Sequence, residues 1–334
     1  MNSDGIIITL AYPDTIVSQA NWEFSSKFLP YIGIGNKKAV QAGHAALLLI
    51  HKKNKSVDYF DFGRYITSYS MGRVRSKETD PELTIPLKAQ FHNHQLTNFS
   101  ELILWLDRYP DKTHGTGRLI ASLNDCIDYY KAKNFIEHLI AQKEIPYGAF
   151  LKNGSNCARF VTDTLIAACS DISIKKKLKQ SRALTPSPIG NVLKAKTFST
   201  VYCVKNQKIN TYTNRSILKE YGLFFKKIKN TIKSVGTTDP QREIFNPTKA
   251  SWLGGIGSGA WFKIEEQMDV DHYKIMRYSS IGKKEFEGVF KVQNRKFDLK
   301  KEYRFVHPTN CLETIISQNN VSYTFIKVNK EVIF

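Results

Sequence analysis

Two uninterrupted apolar runs open the chain. Gly5-Ile-Ile-Ile-Thr-Leu-Ala-Tyr12 is short, rich in β-branched residues and closed by Pro13-Asp14, which predicts a buried strand. After a loop-rich stretch holding Trp22, Phe24, Phe28 and Pro30, a second apolar run begins at His44 and continues to His51. Lys52-Lys-Asn-Lys55 supplies a turn, and the run from Val57 to Arg64 returns as an antiparallel partner. The pattern further predicts a strand near Leu83–Ala89, a helix over Phe99–Asp107 and a strand over Arg118–Leu123. Asn124-Asp125 then caps a helix reaching Gln142, with Ile127, Ala132, Phe135, Leu139 and Ile140 as its apolar positions. Another amphipathic helix is expected from Asn156 to Cys169, and Ser181–Asn191, with two prolines and a glycine, reads as a loop.

The second half changes period. Phe198–Val204 predicts a strand, Asn214–Lys233 a basic helix, and Thr237–Lys249 a turn-rich linker. From Ser251 the chain falls into short alternating runs: Ala260–Glu265, Tyr273–Tyr278, Glu285–Val292, Glu302–His307 and Ser322–Val328. These predict a small antiparallel β-domain, either a barrel or a curved sheet. The expected organisation is α+β, with a first domain over residues 1–196, a basic connecting segment over 197–249 and a β-domain over 250–334.

A length of 334 residues with 42% hydrophobic and 12% aromatic content suits a folded, two-domain protein. No run approaches the ~20 apolar residues of a membrane span. The N-terminus lacks the basic flank of a signal peptide, so a soluble, cytoplasmic protein is expected. The five cysteines, at 126, 157, 169, 203 and 311, form no Cys-x-x-Cys pair, which leaves out zinc ribbons and thioredoxin-type motifs. Cys126 and Cys169 fall on apolar helix faces and read as core. The net charge of +19 is uneven: residues 172–234 hold 15 lysines and arginines against the single acid Glu220. Such a stretch is either a solvated face or a docking site for a polyanion, namely nucleic acid, an anionic membrane or a polyanionic substrate.

Chemistry concentrates at Asn153-Gly-Ser-Asn-Cys-Ala-Arg-Phe-Val161. Cys157 falls on the first turn of a helix, in the positive field of the helix N-terminus and beside unpaired N–H groups that could hold an oxyanion. Gly43-His44 begins an apolar strand. A thiol on a helix start and a histidine on a strand end are the two parts of a thiol nucleophile with its base. Read blandly, the cysteine is core and the histidine bonds backbone.

The box Asn156-Cys-Ala-Arg-Phe-Val161 resembles the Asn-Cys-Glu-His-Phe-Val box of the lecithin:retinol acyltransferase group, in the circularly permuted branch of the NlpC-like papain fold. In that branch a Gly-His strand precedes the cysteine helix, as Gly43-His44 does here, 113 residues ahead of Cys157. The similarity covers about residues 30–190. Phe60-Asp-Phe-Gly-Arg-Tyr65 and Asn-Cys-x-Arg-Phe-Val are also similar to the boxes of a bacterial family of unassigned activity. The resemblance implies a permuted papain-like first domain and acyl-enzyme chemistry without a cofactor. Ala158 and Arg159 depart from the box, so the group's substrate and acyl acceptor do not carry over.

If the hairpin turn centres between Lys53 and Asn54, His44 faces Gly63 and Asp61 becomes its diagonal neighbour. Asp61 is then the expected orienting carboxylate, with Tyr59 the fallback on the same face; the resemblance too implies a third polar residue on this strand. As a strand-end carboxylate, Asp61 should matter more to chemistry than to folding. Asn156 reads as the helix N-cap and, less directly, as an oxyanion donor. The resemblance implies that Tyr147 lines the pocket; otherwise it is a packing aromatic. Arg64, Arg73 and Arg75 could select an acidic substrate, or could be surface charges. His92-Asn-His94 has the spacing of a metal pair but no partner ligand nearby in sequence, so no metal is expected. Gly254-Gly-Ile-Gly-Ser-Gly259 lacks the P-loop Lys-Ser/Thr and reads as a β-turn region.

Two functions remain open on these grounds. One is a thiol hydrolase or acyltransferase that cleaves an amide or ester of a small-molecule, peptide or lipid substrate through an acyl-Cys157 intermediate. The other is a non-catalytic module that docks on polyanions through residues 172–234.

Overall fold

A computed structural model of the chain describes residues 3–18, 39–183, 185–213 and 239–328, with the isolated positions 222 and 229. The fold is α+β with a second, antiparallel β-domain. Four strands form the middle of the first sheet, in the order Val57–Gly63, His44–His51, Gly5–Tyr12 and Leu119–Ile127. Met71–Arg75 and then Ile145–Pro146 extend it on one side, and Tyr202–Lys205 and Lys208–Thr211 on the other. All of these pairings are antiparallel.

Strand alternation explains why the first two apolar runs carry so little polarity. Ile7, Leu47, Leu49, Phe60 and Phe62 pack on one face, against Phe160, Val161 and Leu165 of the Cys157–Ala168 helix. Ile6, Ile8, Leu48, Ile50 and Tyr59 pack on the other, against Leu102, Ile103 and Leu106 of the Phe99–Arg108 helix. Both faces are covered, so both sets of side chains are apolar.

Several expectations change. Near Leu83–Ala89 there is a short 3-10 helix, Pro81–Leu83, and no strand; the strand is Met71–Arg75. Its alternation is hidden because Arg73 and Arg75 are buried by ion pairing. The Leu119–Ile127 strand runs through Asn124, whose buried amide donates to the Ala195 carbonyl at 2.5 Å. The following helix, Tyr129–Ala141, is capped instead by Asp128, whose carboxylate accepts from the Lys131 N–H. Residues 181–191 are largely helical: Ile172–Ala183 runs into them, and Pro188–Ala195 starts with Pro188 in its first turn and Ser187 as its cap. Proline suits that position because its missing N–H has no intrahelical partner there anyway. The first sheet also runs past residue 196, through Tyr202–Lys205 and Lys208–Thr211.

Within the basic segment, the Ile172–Ala183 helix buries Ile174 and Leu178, while Lys176, Lys177 and Lys179 face solvent. Apart from positions 222 and 229, the basic helix expected over 214–233 lies outside the described residues, as does the whole of the 19–38 loop region. Among the described residues no helix is long and apolar enough to cross a membrane.

The second domain is one antiparallel sheet of seven strands. Four run in sequence: Ala250–Leu253, Ala260–Gln267, His272–Tyr278 and Lys284–Val292. Val321–Lys327, Glu313–Gln318 and Arg304–Val306 follow in space. The sheet curls until its end strands lie side by side, where the Phe305 N–H donates to Ser251 Oγ at 2.9 Å. Phe262, Ile275, Phe290, Ile316 and Phe325 fill the interior.

Candidate active site

The site is assembled at one end of the first sheet. Asn156 is in extended conformation, and its Oδ1 accepts from the Arg159 N–H at 2.9 Å, which starts the helix at Cys157. Asn156 is therefore the N-cap, with only its Nδ2 left as a possible oxyanion donor. Arg159, where the resembling box has histidine, is buried and donates to the carbonyls of Gly148 and Leu151, at 3.3 and 2.7 Å. It anchors the loop leading to the cysteine.

His44 is the first residue of its strand and follows Gly43, whose φ of +72° turns the chain into the sheet. The ladder pairs Ala46 with Asp61, the register in which Asp61 is diagonal to His44. His44 Nε2 lies 3.1 Å from Asp61 Oδ2, and the imidazole lines the same cleft as Cys157, which together with Asp61 acts to raise its pKa. With Nε2 directed at Asp61, Nδ1 is the nitrogen left for sulfur. Asp61 also accepts from Tyr59 Oη at 2.9 Å, and from Arg75 Nε and Nη2 at 2.9 and 2.5 Å. Three adjacent strands thus deliver His44, Asp61 and Arg75 in a row.

Asp61 is no strand-end carboxylate. It is fully buried, directly opposite Arg75, which is itself 1% exposed. Burial alone would push its acid up, but Arg75 and His44 hold it far below the ordinary carboxylate range. Burial likewise opposes protonation of His44, yet the hydrogen bonds and charges of Asp61 and Cys157 outweigh it and raise His44 to about 9. Burial pushes the Cys126 and Cys169 thiols up, and takes Cys311 to about 12.

An open cleft of about 460 Å³ is bounded by Cys157, His44, Gly43, Tyr65, Tyr147 and His114 among others. Tyr147 stacks on Phe62, with ring centroids 6.0 Å apart, and the Arg64 guanidinium lies 4.6 Å from its ring centre. Arg64 also lines the cleft and donates to the Ser18 carbonyl at 2.6 Å. The other two arginines are committed internally, Arg75 to Asp61 and Arg73 to a bidentate pair with Asp80 at 2.6 and 2.7 Å. All three are buried, but Arg64 is the one of them that lines the cleft. His92 and His94 sit on an exposed hairpin turn away from the cleft lining.

The residues that pattern reading missed are Tyr65, His114, Ile256 and Gly257. Tyr65 presents its ring edge-on to His44, with the Arg75 guanidinium 3.8 Å from its ring centre and the His114 ring stacked at 4.8 Å. His114 adopts a left-handed φ of 52°, consistent with the turn read at His114-Gly-Thr-Gly117. Burial and the nearby Arg75 depress it to about 3, so it is a neutral imidazole in the cleft wall. No local signal marks a turn histidine as lining the same cleft as a cysteine 43 positions later.

The family model described as Type VI secretion system effector TseH-like matches residues 7–174, a span containing His44, Asp61 and Cys157. The DUF6695 C-terminal domain model matches residues 250–328. A crystal structure of the Type VI secretion system effector TseH is similar at a TM-score of 0.41 and 16% identity, over 63% of this chain and 99% of that one. No curated protein matches the sequence. The family match covers half of the chain, including His44, Asp61 and Cys157, and the chain belongs to the TseH-like family of Type VI secretion system effectors.

Proposed function

We propose that this effector is a cysteine-dependent hydrolase that cleaves an amide or ester through an acyl-Cys157 intermediate. The observation that carries the reading is Cys157, on a helix N-terminus, lining one cleft with His44, whose imidazole is hydrogen-bonded to Asp61. Cys157 Sγ gives its proton to His44 as it attacks the carbonyl carbon and forms a C–S bond. The oxyanion that develops faces the Cys157 backbone N–H at the positive end of the helix. As the tetrahedral intermediate collapses, the bond to the amine or alcohol breaks and His44 gives that group its proton. A water then attacks the thioester, His44 takes its proton, and the acid leaves with Cys157 restored. An amine or alcohol in place of water would make the same site an acyltransferase.

Asp61 orients the imidazole by accepting from Nε2, and Tyr59 and Arg75 hold Asp61. We also propose that the first domain is a permuted papain-like fold, since the histidine strand precedes the cysteine helix and the two meet at a sheet end. Iodoacetamide at neutral pH is expected to alkylate Cys157 ahead of the other four cysteines, as read by peptide mass mapping. His44→Ala should suppress that selectivity. Equal labelling of Cys157 and the partly exposed Cys126 would overturn the reading.

A further inference from the structure

The glycine-rich run Gly254–Gly259, which pattern alone makes a β-turn, reaches out of the second domain into the first. The Gly257 N–H donates to the Arg64 carbonyl at 2.7 Å, and the Ile66 N–H donates to the Ser258 carbonyl at 2.9 Å. Tyr65 and Ser258 thereby pair as a parallel bridge. The run thus adds a stretch of backbone to residues 64–66, just beyond the strand that carries Asp61. Glycine is what allows this approach. A Cβ at 255 would lie 2.6 Å from the Ile66 nitrogen and 2.7 Å from the Arg64 carbonyl oxygen, and one at 257 would lie 2.9 Å from the Tyr65 ring. Ile256 is left between them, partly exposed, and with Gly257 it lines the same cleft as Cys157 and His44.

A second anchor fixes this geometry. Arg277 of the second domain is 1% exposed and pairs with Asp80 at 3.3 Å and Glu82 at 2.5 Å. Asp80 is the carboxylate held by Arg73, and Arg73 Nε donates to the Tyr65 carbonyl at 2.7 Å. Residues 64–66 are therefore tied to the second domain both directly, through the glycine run, and indirectly, through Arg73, Asp80 and Arg277.

We infer that the second domain is part of the substrate site: the Ile256 side chain forms an apolar wall of the Cys157 cleft and limits the bulk of the acyl group that can reach the thiol. This rests on Cys157 being the nucleophile. The preferred substrates are then acyl compounds that are slender next to the scissile carbonyl, with bulk there excluded by contact with residue 256.

Full-length protein should be alkylated in parallel with iodoacetamide and with N-benzyliodoacetamide, and the Cys157 rates compared as a ratio within each variant. A ratio cancels any general loss of active protein. Ile256→Trp should lower the ratio of bulky to small reagent by about tenfold, and Ile256→Gly should raise it by a similar factor. A ratio that neither variant moves, with Cys157 still selectively labelled, overturns the wall while leaving the nucleophile in place. Failure of iodoacetamide to label Cys157 selectively in the unaltered chain overturns the nucleophile, and the wall with it.

Discussion

Asp61 accepts hydrogen bonds from Tyr59 and Arg75 as well as from His44, and it does so without contact with water. That arrangement reverses the expectation that this carboxylate matters little to folding. Asp61→Asn leaves the buried Arg75 guanidinium without its counter-charge, so the variant should lose about 3 kcal/mol or more of stability, measurable by denaturant titration. The same change should lower the His44 titration midpoint from about 9 toward its ordinary value, as followed by NMR of the imidazole. A midpoint unmoved by Asp61→Asn would mean that the carboxylate does not control the histidine. Linkage sets the pH profile of stability. His44 is raised from 6.5 to about 9, so its contribution is complete below 6.5 and fades as pH rises through about 9. Asp61 is depressed from 3.8, so its contribution is present above 3.8 and disappears as pH falls through its lowered value. The melting temperature should decline on the alkaline side as pH passes about 9, and His44→Gln should flatten that limb.

The cysteine helix and the histidine strand could be read from sequence because their signals are local. An Asn cap precedes Cys157 directly, and Gly43 adjoins His44 ahead of an apolar run. The Met71–Arg75 strand could not, because a buried arginine looks the same in sequence as an exposed one until its carboxylate is placed beside it. Asn124 misled for the same reason: its amide is satisfied by Ala195, 71 positions on, which no window around residue 124 contains. The cap itself offers a clean separation of roles at Asn156. Asn156→Ala removes the acceptor for the Arg159 N–H and should cost about 1 kcal/mol in thermal or chemical unfolding. Asn156→Asp keeps that acceptor and suits the helix N-terminus, so stability should be retained. It also removes the Nδ2 donor and sets a negative charge next to Cys157, which should slow alkylation. If Asn156→Asp reacts as fast as the unaltered chain, the residue is a cap and nothing more.

At the scale of the molecule, the division at residue 250 follows a change in period, and it coincides with the start of the second sheet and of the DUF6695 C-terminal domain match. What the period could not convey is that the two parts share a wall. The Arg277–Asp80 contact joins residues 197 positions apart, and the glycine run acts through backbone atoms that carry no sequence identity. The strength of that joint can be measured. Arg277 is buried and meets the buried Asp80 and the partly exposed Glu82 and Glu285, and Arg73 and Arg277 together hold Asp80 at about 2 against the effect of burial. Arg277→Met leaves three carboxylates with one buried arginine among them and should cost about 3–5 kcal/mol. Because the loss falls on the contact between the domains, calorimetry should resolve two transitions in the variant where the unaltered chain shows one. The glycine run would then lose its second anchor, and the cleft should admit N-benzyliodoacetamide more readily. A variant that still unfolds in one step, with its alkylation ratio unchanged, would show that the backbone pairing of residues 64–66 with 257–258 is enough to hold the wall.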